Sequence, residues 1–115
     1  MRSRHLSLGA FGEDAAARWY ERAGYDVVGR NWRCAFGELD LVVRRGSLVV
    51  FCEVKTRSSD RFGTPAEAVT YRKRVRLRRL AAEWLAGREG VRGRQVRFDV
   101  AEVHGGTVEV IEDAF

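Results

Sequence analysis

The stretch "DLVVRRGSLVVFCEVK", Asp40 to Lys55, decides how the fold is read. It holds two apolar runs separated by Gly46-Ser47. Such runs around a two-residue turn signal read as a β-hairpin, and glycine at the first turn position suits a type II′ turn. With that turn, Arg45 opposes Leu48, Arg44 opposes Val49 and Val43 opposes Val50. Counting back, Asp40 opposes Glu53. Side chains alternate between faces along a strand, so opposed residues share a face. Asp40, Glu53 and Lys55 then stand together on one face. The other face carries Leu41, Val43, Val50, Cys52 and Val54, an apolar set suited to a core.

Two like charges directly opposed destabilise a strand pair. A divalent cation relieves them, and Mg²⁺ takes only one or two protein carboxylates, completing its shell with water and phosphate oxygens. A lysine beside such a site can orient or deprotonate an attacking water, or offset charge building on a phosphate. The set suits metal-assisted hydrolysis of a phosphodiester. The same three residues also fit a solvated strand face on which Lys55 neutralises one acid.

Outside the hairpin, a helix is predicted from about Ser7 to Ala23, with Leu8, Gly12, Ala15, Trp19 and Ala23 on its apolar arc and Gly24 ending it. Glu13 lies at the edge of that arc beside Gly9, Ala16, Ala17 and Tyr20. Small neighbours would let the helix approach the sheet and deliver a third carboxylate; an exposed helix glutamate is the alternative. Tyr25 to Arg33 reads as a first strand with a bulge at Gly29. "TPAE" (Thr64 to Glu67) reads as a capped helix start. Its helical pattern resets near Thr70 and continues to Ala86, where Gly87 stops it. Lys73 falls in the middle of that helix's apolar arc, among Leu77, Leu80 and Trp84, where it either snorkels past the core edge or points at the site. Arg72, Arg76 and Arg79 share one face, and Arg74 and Arg78 lie on another side. With so little acid nearby, five arginines favour phosphate contact over a solvated face with Glu83 paired to Arg79. Gly87 to Gly93 reads as a loop. Gln95 to Val103 and Thr107 to Ile111 read as strands joined through Gly105-Gly106. The strand–helix–strand unit from Leu48 to Val103 predicts a right-handed parallel crossover. The fold class is α/β: a mixed sheet flanked by helices, in the order helix, three strands, helix, two strands.

The 115 residues suggest one domain, 1–115, and the net charge of +5 favours an anionic partner. No apolar run approaches the ~20 residues of a membrane span, and the N-terminus lacks the pattern of a secretory signal. Cys34, Cys52, His5 and His104 are too scattered for a zinc pattern. The expected setting is the cytoplasm, with reduced thiols and no membrane partner.

"FGELDLVVRRGSLVVFCEVKTRSSDRFGTPAEAVTYRKRVRL" resembles the YraN-like family of small bacterial proteins. That family is grouped with the restriction-endonuclease-like superfamily, near the archaeal Holliday junction resolvases. The likeness extends to "GEDAAARWYERAGYDVVGRNWR", to "RFDV" and to the terminal "AF". It implies a restriction-endonuclease-like core with Asp40 and Glu53 as metal ligands, joined by the backbone carbonyl of Val54. It implies Lys55 as the catalytic lysine and Glu13 as a helix acid serving catalysis or the metal. Lys73 and Tyr71 are further candidates. The superfamily's fuller motif has a proline before the aspartate; Leu39 stands there, as a non-proline does in many members.

The resulting expectation is a Mg²⁺- or Mn²⁺-dependent endodeoxyribonuclease, structure-selective for branched DNA. A non-catalytic nucleic-acid-binding module on the same fold is the first alternative, and a protein that binds an acidic partner is the second. Monomer and homodimer are both open.

Overall fold

The Gly46-Ser47 turn sets the register of everything around it. In the computed structural model, which describes residues 8–57, 70–88 and 95–115, Gly46 has a φ of 60°, as the first central residue of a type II′ turn requires. The strands it joins are β2 (Gly37–Arg45) and β3 (Leu48–Arg57). They pair Arg45 with Leu48, Arg44 with Val49 and Val43 with Val50, as the sequence predicts.

The other elements are α1 (Leu8–Arg22), β1 (Asp26–Cys34), α2 (Tyr71–Ala86), β4 (Gln95–His104) and β5 (Thr107–Ile111). The five strands form one mixed sheet in the order β1-β2-β3-β4-β5. β3 and β4 run parallel in continuous register from Leu48–Gln95 to Arg57–His104, and the other neighbours are antiparallel. The bulge in β1 falls between Val27 and Gly29, so Val28 is the extra residue. The "TPAE" segment, His5, Ser7 and most of the 87–93 loop lie outside the described residues. Within them, Thr70 caps α2, its hydroxyl accepting the Lys73 N–H at 3.2 Å.

The two sheet faces carry two cores. Val42, Val49, Phe51, Phe98 and Val100 pack against Leu77, Leu80 and Trp84 of α2. Leu41, Val43, Val50, Cys52, Ala101 and Val103 pack against Ala16, Ala17 and Tyr20 of α1. Each large apolar side chain so buried contributes about 1.5–3 kcal/mol.

The face that α1 buries differs from the predicted arc. Ala23 lies beyond the helix and is exposed, and Ala15 and Trp19 are only half-buried. The buried stripe is Gly12, Ala16, Ala17 and Tyr20. Two features select it. A Cβ at Gly12 would overlap the Thr56 hydroxyl, so glycine permits the closest approach to β3. The Tyr20 hydroxyl also finds a buried acceptor, donating to Asp99 Oδ2 at 2.6 Å. Glu13 shares the helical bearing of Ala17 and Tyr20, four and seven residues on, and so lies on the sheet side of the helix, half-buried.

Candidate active site

The β2–β3 ladder keeps its register as far as Leu41 and Cys52. The predicted next pair, Asp40 with Glu53, is not part of the ladder; instead the N–H of Val54, one residue past Glu53, donates to Asp40 Oδ2 at 2.9 Å. A side-chain carboxylate therefore stands where a backbone acceptor would continue the ladder. The strict alternation of β2 is broken here, because Leu39 and Val42, three residues apart, both pack in the α2-side core. N–H and C=O of one strand residue point the same way, so the Val54 carbonyl is on the Asp40 side as well.

Asp40 is a poor place for a negative charge. Burial pushes its carboxyl up to about 7, and the neighbouring Glu53 charge adds to the rise. Glu13 and Glu38 push the same way, opposed by the Val54 N–H. Glu53 is the better compensated acid. Its Oε2 lies 2.6 Å from Lys73 Nζ and 3.6 Å from Lys55 Nζ, with only 11% of its side chain exposed. The lysine that sequence places in the apolar arc of α2 thus points at the site. The two amines, crowded onto one carboxylate, differ. Burial and then the Lys73 ammonium lower the pKa of Lys55. Burial also works against Lys73, but its hydrogen bond to Glu53 prevails and its pKa is raised.

Glu13 is half-buried, and burial raises its carboxyl pKa against the hydrogen bond of Asn31 and the charge of Arg30. Its charge acts on Asp40, but no three His, Cys, Asp or Glu side chains gather as a metal cage among the described residues.

The arginines of α2 divide as predicted. Arg72, Arg76 and Arg79 line one groove of about 550 Å³ together with Phe36, Tyr71 and Val75. Arg79 stacks 3.8 Å from the Phe36 ring centroid. Arg74 is exposed, and Arg78 lies 4.6 Å over the Phe98 ring.

Sequence reading missed Glu102. It is fully buried, adjoins Lys55 in the β3–β4 register, and accepts from Arg57 Nε at 2.7 Å through Oε2. Its Oε1 has no hydrogen-bond partner among the described residues. The available signal was an acid in the apolar run "RFDVAEV", the same anomaly that exposes Asp40. Asp99, also in that run, is a different case. It accepts from Tyr20, from both Nε and Nη2 of Arg97 at 2.9 Å, and from the Asp113 N–H at 3.0 Å.

A family model described as "Uncharacterised protein family UPF0102" matches residues 12–103, a span that includes every acid, lysine and arginine of the site. The chain belongs to this family. It is the YraN family, so the resemblance carried by "GELDLVV" and "CEVK" is borne out. A UPF0102 protein of Beutenbergia cavernae is 59% identical over 97 residues, covering 84% of this chain and 81% of its own length. One of Nocardia farcinica is 56% identical over 97 residues, covering 84% and 76%. One of Rhodococcus opacus is 50% identical over 117 residues and covers 96% and 98%. No helix among the described residues is long and apolar enough to cross a membrane.

Proposed function

We propose that this UPF0102 member is a cytoplasmic, Mg²⁺- or Mn²⁺-dependent endodeoxyribonuclease acting on branched DNA. The observation that carries the reading is the adjacent pair Asp40 and Glu53, flanked by lysines from two different elements. An acid whose pKa is raised to about 7 by burial and a neighbouring acid is relieved by a small hard cation. The donor set fits one: Asp40, Glu53 and the Val54 carbonyl would hold it, with Glu13 available to a second ion or to water. When bound, the ion supplies positive charge to phosphate oxygens and acidity to water.

The chain's own residues supply the rest. Lys55, 3.6 Å from Glu53, is placed to orient the attacking water and to offset the charge that builds on the phosphate as water attacks phosphorus and the P–O ester bond breaks, its electron pair leaving on the departing sugar oxygen. Lys73, at 2.6 Å from Oε2, fixes the orientation of Glu53. Arg72, Arg76 and Arg79 would grip the phosphate backbone, with Arg74 and Arg78 extending the positive surface.

One observation favours the non-catalytic module instead. The Lys73 ammonium at 2.6 Å already neutralises Glu53 without a metal. Incubating linear, flapped and junction DNAs with Mg²⁺, Mn²⁺ or EDTA separates the readings. Cleavage of branched DNA with metal, and none in EDTA, is expected. Binding without cleavage in either metal selects the module, and absence of DNA binding selects an acidic protein partner.

A further inference from the structure

The groove beside α2 combines features that phosphate contact alone does not explain. Its floor is apolar and aromatic, and its side chains are unusually open. Tyr71 is 80% exposed, Val75 50% and Phe36 36%. Its remaining lining is Arg72, Arg76 and Arg79, with no acid among the described residues. A duplex backbone uses the guanidinium groups and at most the Tyr71 hydroxyl; the exposed face of the Tyr71 ring and the exposed Val75 are left without a role.

We infer that this groove is a stacking site for one unpaired nucleobase, with the arginines holding its flanking phosphates. The inference rests on the reading of the protein as one that acts on DNA, and it names the feature of the DNA that the protein selects.

Charge and shape both point to this occupant. A flat apolar ring with an anion on either side is complementary to an aromatic floor edged by cations. A second copy of the chain fits badly. A two-fold contact through the same groove would set its three arginines against the partner's three. An acidic peptide satisfies the arginines and leaves the tyrosine ring without a planar partner. The groove also has one ring already engaged and one available: Arg79 covers Phe36 at 3.8 Å, while Tyr71 is open.

Its walls belong to the elements that build the active site. Phe36 is four residues before Asp40, about 13 Å along an extended chain, or roughly four base-pair rises of duplex. Tyr71 is two residues before Lys73. The turn bearing Phe36 rests on α2 through Gly37, whose φ of 139° favours glycine. A Cβ there would lie 3.5 Å from Leu80 Cδ1 and 3.8 Å from Arg76 Cδ. Seating a base from continuous duplex costs its unstacking and unpairing, a few kcal/mol, whereas a base at a branch is already free. The groove therefore discriminates by sparing that cost.

The test is binding in EDTA, so that cleavage does not enter. Short duplex, flap and single-stranded DNAs carry 2-aminopurine at a paired or an unpaired position. Wild type should change the fluorescence of the unpaired probe. Tyr71→Ala should abolish that change and weaken flap and single-strand binding by about 5–150-fold, the scale of one lost base stack. Duplex affinity should stay within about twofold and the salt slope should hold, because the arginines remain. Tyr71→Trp should restore the preference. Equal loss on duplex and flap, or no loss on either, overturns the inference. So does a loss that accompanies a dimer-to-monomer shift in sedimentation, which would give the surface to a second copy. A wild type that binds no DNA removes both this inference and the proposed function. One that binds with the expected preference yet never cuts removes only the nuclease.

Discussion

Asp99 and Asp40 are both acids drawn into the same sheet, one on the α1 side and one on the α2 side. Asp99 is wholly buried and accepts from Tyr20, twice from Arg97, and from the backbone of Asp113. These bonds tie α1, β4 and the C-terminal turn to one carboxylate. They also raise the Arg97 pKa still further, through its hydrogen bonds to Asp99. Asp40 receives the Val54 N–H, and the charged groups acting most on it are other acids, Glu53, Glu13 and Glu38. Burial alone does not distinguish structure from function. What distinguishes them is whether the surroundings complete the group or leave it needing something more.

The largest expected effect that could break this contrast is catalytic. Glu53→Gln and Lys55→Ala should each lower metal-dependent cleavage by about 10²–10⁴-fold, with folding and DNA binding intact. Near wild-type cleavage by either, in protein free of host nucleases, would return the α2-side cluster to a structural role. Asp99→Ala should do the reverse. It leaves the Arg97 guanidinium partly buried with its main partner gone, a loss of about 3–5 kcal/mol, seen as an earlier thermal or urea transition. A folded Asp99→Ala protein of normal stability and impaired cleavage would exchange the two roles.

A pH series sharpens the comparison. Folded Asp40 keeps its proton up to about pH 7, whereas the unfolded chain releases it near 3.8. Between those values the folded state holds the extra proton, so in EDTA this group makes stability fall as pH rises. Asp40→Asn removes that slope while keeping an oxygen for the Val54 N–H. At pH 8 in EDTA the variant should be more stable than wild type by on the order of 1–3 kcal/mol, and the gain should vanish near pH 4. Excess Mn²⁺ should raise the melting temperature of wild type by mass action and act weakly on the variant. Clear destabilisation of Asp40→Asn in EDTA would make Asp40 a satisfied acid like Asp99.

The smallest effect lies on the surface. Reversing Arg72, Arg76 and Arg79 to glutamate should reduce the log–log salt slope of DNA binding by about 0.9 for each lost phosphate contact. An unchanged slope in the folded variant would move the DNA footprint off α2.

What the sequence revealed follows from the range of each interaction. The hairpin register was legible because a period of two and one glycine turn fix it locally. Lys73 was legible because a charge within Leu77, Leu80 and Trp84 breaks a period. The buried face of α1 was misjudged because alanine and glycine report little about burial, and the deciding contacts come from Thr56 and Asp99, far along the chain. The Arg57–Glu102 pair spans 45 positions, and the Tyr20–Asp99 pair spans 79. No local pattern encodes such partners. The stacking groove was half legible. Its arginines share a helical bearing, but Phe36 reaches it from another element.

The parallel register of β3 and β4 has a consequence for how the molecule assembles. Asp40 and Glu53 are brought together by a hairpin whose closing loop is two residues, an event on the scale of microseconds in isolated hairpins. β4 arrives only when a crossover of 37 residues, from Ser58 to Arg94, has closed, and Lys73, within that crossover, arrives only when α2 docks on the sheet. Non-local parallel pairing of this kind is the slow step in comparable topologies. The acids therefore meet before their principal cation does. During that interval the nascent hairpin is an electrostatically frustrated species, and lower pH or bound divalent metal should speed its formation relative to the docking that follows.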